Sequence, residues 1–78
     1  YPNPANASTE MVYSLKPGVS KASVEMYDML GSKVRSIPLV EKNGELNVDL
    51  STIPSGLYFF NMVVDGKTLE TRKLMVSH

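Results

Sequence analysis

Few residues in this chain of 78 could carry chemistry. Its only histidine is the last residue, His78, where fraying is expected, and it has no cysteine. With one His and no Cys, neither a Ser-His-Asp relay, a cysteine nucleophile nor a zinc site can be assembled. Three aspartates stand at the ends of apolar runs: Asp28 in Asp-Met-Leu-Gly, Asp49 before Leu-Ser-Thr, and Asp65 before Gly66. No clustered Asp-x-Asp spacing accompanies them, so turn stabilisation is a better reading than calcium ligation. Glu41 and Glu45 flank Asn43-Gly44 and are expected to be solvated. Tyr58, Phe59 and Phe60 could stack on a sugar or on single-stranded nucleic acid. Strand alternation, however, sends Phe59 to the opposite face from its neighbours, and the chain has no Trp, so core packing is the stronger reading. Asn6-Ala7-Ser8 matches the loose pattern of a glycosylation acceptor. Catalysis is not expected, nor is any cofactor or metal.

Eight basic and eight acidic residues cancel and are interspersed, which leaves no basic footprint for nucleic acid and no polybasic membrane patch. No run approaches the ~20 apolar residues that a spanning helix needs, so membrane insertion is not expected. No signal peptide is visible. A chain of 78 residues makes one domain, and a domain of this size buries roughly 60–65% of its unfolded surface, so its stability is expected to be modest. It starts on Tyr rather than Met, which predicts the C-terminal piece of a longer protein whose targeting segment lies upstream.

The elements that must position these residues are strands, because period-two alternation dominates and no stretch sustains helical spacing. Met11, Tyr13 and Leu15 share one face of a first strand that ends at Lys16-Pro17-Gly18. Ala22, Val24 and Met26 share one face of a second, with Ser23, Glu25 and Tyr27 on the other. Asp28 and Gly31 then suit the first and fourth positions of a type I turn. The run Lys33–Val40 contains Pro38, which places it at a sheet edge. Asn43-Gly44 suits a type I′ hairpin turn, which would pair Lys42 with Glu45, Leu39 with Val48 and Ile37 with Leu50. Ile37, Leu39, Leu46, Val48 and Leu50 would then lie on one face of one sheet. Pro54 and Gly56 suit the second and fourth positions of a further type I turn. Leu57–Val64 is apolar on both faces apart from Asn61, the pattern of a central strand. Asp65-Gly66 is a second hairpin turn. A strict two-residue register beyond it would put Leu74 and Val76 on the wrong face, so a longer loop or a β-bulge between Glu70 and Lys73 is predicted. Six strands, or seven with Pro2–Pro4, at short even spacing predict an all-β, antiparallel β-sandwich of immunoglobulin-like form. Residues 1–8 form a Pro-rich lead-in and 9–78 the sandwich.

The order of four motifs says more than their chemistry. Tyr-Pro-Asn-Pro-Ala at 1–5, Val-Glu-Met-Tyr-Asp-Met-Leu-Gly-Ser-Lys-Val at 24–34, the stretch from Leu46 to Phe60, and Arg-Lys-Leu-Met-Val at 72–76 run through the whole chain. Together they resemble the type A C-terminal sorting domain of the type IX (Por) secretion system. By that resemblance Pro2, Asn3, Pro4 and Ala5 form the opening motif, a stiff junction between cargo and signal. Asp28, Gly31 and Lys33 form an Asp-x-x-Gly-x-Lys turn, and Pro54, Gly56 and Tyr58 a Pro-x-Gly-x-Tyr corner. The terminal strand, with Arg72, Lys73, Leu74 and Val76, is the recognition element. Ser-His follows Val76 where the family often ends on a basic residue.

The resemblance implies an immunoglobulin-like sandwich at the end of a larger secreted protein, carried from the periplasm through an outer-membrane translocon. It also implies shuttle components, an upstream cargo domain in the same chain, and a sortase-like surface peptidase that removes the signal. Two other readings compete with it. One is an immunoglobulin- or fibronectin-like spacer, and the other a carbohydrate-binding accessory module, against which the lack of Trp counts.

Overall fold

A computed structural model describes residues 7–78. Pro2, Asn3, Pro4 and Ala5, the expected seventh strand, and Asn6 of the Asn-Ala-Ser triplet lie outside the described residues. The rest is six strands: β1 (Ser8–Ser14), β2 (Ala22–Tyr27), β3 (Lys33–Pro38), β4 (Asn43–Asp49), β5 (Gly56–Val64) and β6 (Lys67–Val76). They form two antiparallel sheets, one of two strands in the order β1-β4 and one of four in the order β3-β2-β5-β6. The core between them draws on both sheets: Met26 and Val76 from one meet Val48 and Leu50 from the other, all fully buried.

Most of the expected strands are present. β5 is central, flanked by β2 and β6, as its two apolar faces predict. β3 is an edge strand, where the missing amide of Pro38 costs no ladder bond. Tyr58 and Phe60 are buried and Phe59 is not, which makes the aromatic run core packing rather than a platform.

The Asn43-Gly44 hairpin is the main correction. β3 and β4 do not pair; β3 pairs with β2, and β4 pairs with β1. Asn43 and Gly44 lie inside β4, opposite Ser14 and Tyr13, and Asp65 is the only non-glycine at positive φ among the described residues. After Pro38 the Leu39 N–H donates to Ala22 O at 2.9 Å, and the chain crosses to the other sheet, where Leu15 N–H donates to Lys42 O at 2.6 Å. Ile37 and Leu39 still face inward, as do Leu46, Val48 and Leu50, but they meet across the core instead of lying side by side. A period-two pattern fixes which side chains are buried and leaves open which strand supplies the partner.

The Asp65-Gly66 hairpin turn is where the sequence placed it, while the bulge and the reversal before β5 are shifted. The type I′ turn is Asp65-Gly66, with φ of 48° and 83°, and it joins Val64 to Lys67 directly. The predicted bulge exists, but it falls at Leu69, because Met62 pairs with Glu70 while Val63 pairs with Thr68. That single extra residue turns Leu74 and Val76 inward, opposite Tyr58 and Gly56. The hydrogen-bonded reversal before β5 is Leu50–Ile53, closed by Ile53 N–H to Leu50 O at 3.0 Å, earlier than the Pro54–Gly56 turn expected.

Candidate functional site

The three motif stretches within the described residues converge on one end of the four-stranded sheet. Tyr27, just before the Asp28–Lys33 turn, pairs with Phe59, and Phe59 pairs with Lys73. Gly56 and Tyr58 of the corner pair with Val76 and Leu74 of the terminal strand. Segments far apart in sequence therefore share one neighbourhood through strand pairing.

In the first turn, Asp28 acts as the organiser. Gly31 N–H donates to Asp28 O at 3.1 Å, and Asp28 N–H donates to Ser32 O at 3.0 Å. Asp28 Oδ1 accepts from Leu30 N–H and Ser32 N–H, each at 2.9 Å. Gly31 sits at φ +85°, where an L side chain is strained even though space is open. Asp49 is used in the same way, and Asp65 ties its hairpin to a loop distant in sequence. Asp49 Oδ1 accepts from Ser51 N–H at 2.9 Å, and Asp65 Oδ1 accepts from Ser20 and Lys21 N–H at 3.0 and 2.8 Å. These bonds give all three carboxylates a structural role, as the sequence suggested. Among the described residues no three His, Cys, Asp or Glu side chains gather as a metal site would require.

Lys33 closes the motif on a residue that alternation alone would leave in solvent. Glu25 retains only 7% exposure; its Oε1 lies 2.8 Å from Lys33 Nζ, and its Oε2 accepts from Ser36 Oγ at 2.6 Å. Lys33 Nζ also stands 5.9 Å from the centre of the Tyr27 ring, within cation–π range. The Lys33 and Ser36 hydrogen bonds hold the Glu25 carboxyl below its ordinary value against the opposing effect of burial, and Glu25 in turn raises Lys33. Glu25 thus stabilises the fold above its unfolded pKa of about 4.3, and that contribution is lost as pH falls through its lower folded value. The Lys33 contribution is present below about 10.4 and is lost as pH rises through its higher folded value. Glu25→Gln is expected to lower the melting temperature at pH 7, and the gap from the parent should narrow progressively as the pH falls below about 4. A constant gap from pH 7 to 3 in thermal melts would show that the carboxylate charge contributes nothing.

The Pro54–Tyr58 corner is held by the Tyr58 hydroxyl, which donates to Pro54 O at 2.7 Å. A tyrosine at the start of a strand, bonded to backbone four residues upstream, is the tyrosine corner of immunoglobulin-like sandwiches. Gly56 has φ +156°, and a Cβ there would meet Tyr58 Cε2 at an ordinary 3.7 Å, so the demand for glycine comes from the backbone. His78 is tied back to the corner: its N–H donates to Ser55 Oγ at 3.0 Å, and its Nε2 lies 2.7 Å from Ile53 O.

On the terminal strand Leu74 and Val76 are buried, while Arg72 and Lys73 are exposed as expected. The latter two point to opposite faces. Arg72 pairs with Glu70 on the side that lines a groove with Met11, Tyr13 and Phe60, whereas Lys73 lies beside Phe59 on the outer face. Besides Glu25, sequence reading missed Arg35. Its guanidinium donates to Asp49 O and, at 3.1 Å, to Thr52 Oγ1, which ties β3 to the end of β4 in the opposite sheet. Neither residue carries a local signal, since each acquires its role only from a partner brought close by the fold.

The family model described as secretion system C-terminal sorting domain matches residues 1–77. No curated protein and no solved structure matches the chain.

Proposed function

Because the chain belongs to the family of secretion system C-terminal sorting domains, we propose that it is a folded, non-catalytic export signal for a larger cargo protein joined to its N-terminal end. Domains of this family direct proteins through type IX secretion to the cell surface or beyond the outer membrane. The observation that carries the proposal is the match over residues 1–77 on a fold that gathers the turn, the corner and the terminal strand at one end. Shuttle components and the outer-membrane translocon read the folded surface, including exposed Arg72 and Lys73. Leu74 and Val76 anchor that strand from the core instead of facing a partner. A sortase-like peptidase at the surface then separates signal from cargo near the Pro2–Ala5 lead-in.

Fusing residues 1–78 behind a periplasmic reporter is expected to deliver the reporter to the surface of a bacterium that has a type IX system. Surface fractionation of a strain lacking the translocon should find the reporter retained in the periplasm. Equal delivery in both strains would sink the proposal.

A further inference from the structure

The most exposed large apolar pair in the described chain sits where turns are normally polar. Met29 is 70% exposed and Leu30 91% exposed, and both lie at the tip of the β2–β3 turn. Val34, at 39%, adds to them from the base of the hairpin, where it is the bulged residue: Met26 pairs with Arg35 and Tyr27 with Lys33, which leaves Val34 without an opposite number. Single exposed apolar residues are ordinary, but two consecutive ones at the tip of a turn are not. Nothing in the packing requires them.

The tip is also held rigid. Four hydrogen bonds within five residues fix it: two onto Asp28 Oδ1, one from Gly31 N–H to Asp28 O, and one from Asp28 N–H to Ser32 O. An apolar knob already held in one shape loses little conformational freedom when it docks, so more of its burial appears as affinity. We propose that Met29 and Leu30 form a docking knob that inserts into an apolar pocket on a folded protein partner of the export pathway. This assignment rests on the export-signal reading.

Charge decides between a protein pocket and a lipid surface. Beside the tip stands the Asp28 carboxylate, whose Oδ2 has no partner among the described residues. The cations that follow in β3 are each set against a carboxylate, Lys33 paired with Glu25 and Arg35 interacting with the charge of Asp49. A small apolar tip with an acidic flank is repelled by an anionic bilayer, where docking segments carry basic residues. It is matched by a concave pocket rimmed with N–H donors or a cation, which would meet Oδ2.

The test uses the reporter fusion with Met29→Ser and Leu30→Ser together. A control fusion carries Val40→Ser with Leu69→Ser, which are 85% and 66% exposed and lie away from the tip. Both pairs are surface changes of at most about 1 kcal/mol together and should leave the melting temperature within about 8 °C of the parent. Burial of one such side chain corresponds to roughly ten- to a hundredfold in affinity, so the tip variant is expected to lose at least about tenfold in surface delivery. The control should export normally. Normal export of a folded tip variant overturns the knob while leaving the export-signal reading intact, and an equal loss in the control does the same. Failure of the unmutated fusion to reach the surface overturns both. Tip-dependent sedimentation of the 78-residue chain with phosphatidylethanolamine–phosphatidylglycerol vesicles would overturn the protein pocket in favour of a membrane.

Discussion

Replacing Tyr58 with alanine is expected to unfold this domain at room temperature, while Tyr58→Phe leaves it folded but weaker. The ring is 6% exposed and packs on the strand that carries Leu74, so its loss removes a large part of the core at that end. Truncating a buried aromatic costs about 3–5 kcal/mol. A two-sheet domain of this length has roughly 4–12 kcal/mol of total stability, and the small core places this one toward the lower end. Tyr58→Phe keeps the ring and loses only the hydroxyl bond to Pro54 O, at about 0.5–1.5 kcal/mol, because Pro54 is exposed and its carbonyl can bond water instead. Urea titrations of the three proteins would check both. An unchanged midpoint for the alanine variant would mean that the corner is not held by this ring.

Removing Lys73–His78 is the second large effect, and its meaning depends on a companion variant. The deletion takes away Leu74 and Val76, which are 5% and 1% exposed, together with the pairing of Gly56–Phe59 on that side and the His78 bonds to Ser55 and Ile53. Loss of two buried aliphatic side chains alone approaches 4 kcal/mol or more, and the stripped backbone of β5 adds unpaired groups. The truncated chain should show no cooperative melt and no export. Arg72→Glu with Lys73→Glu should instead melt close to the parent. Both positions are exposed, and the ion pair that Arg72 makes with Glu70 is half in water on both sides, where such pairs contribute about 0–1 kcal/mol. Export lost from a normally melting double variant would identify the basic pair as a surface that is read. Export retained would reduce the terminal strand to a structural role.

The contrast between these variants follows from the Leu69 bulge. Without it Leu74 and Val76 would face outward, and the terminal strand would present apolar side chains to a partner. With it they hold the sheet together, while Arg72, Lys73 and Met75 remain exposed around them. The alternation in the last strand signalled that an extra residue was needed somewhere, but not where. A bulge is placed by the best compromise between the tight Asp65-Gly66 turn and burial of the strand end, and that compromise involves the whole sheet.

By itself the sequence determined the local chemistry and the side each residue takes. Alternation assigned the buried faces of β1, β2 and β5 and made β5 central. Pro38 put β3 at an edge, and Asp28 and Asp49 were legible as turn acceptors because each bonds backbone two to four residues ahead, whereas the bonds of Asp65 to Ser20 and Lys21 needed the fold. The order of the motifs carried the family. Only the tertiary structure decided which strands pair. The Asn43-Gly44 stretch satisfies a hairpin rule locally, yet β4 gains more by crossing to β1, since Leu46, Val48 and Leu50 then close over Met26 and Phe60 from the opposite sheet. Tertiary structure likewise decided that Glu25 is buried, that Lys33 and Ser36 satisfy it, and that Arg35 joins the two sheets. The physical reason is the same in each case. A side chain's face is set by the period of its own strand, whereas its partner is set by which distant strand buries the most apolar surface against it.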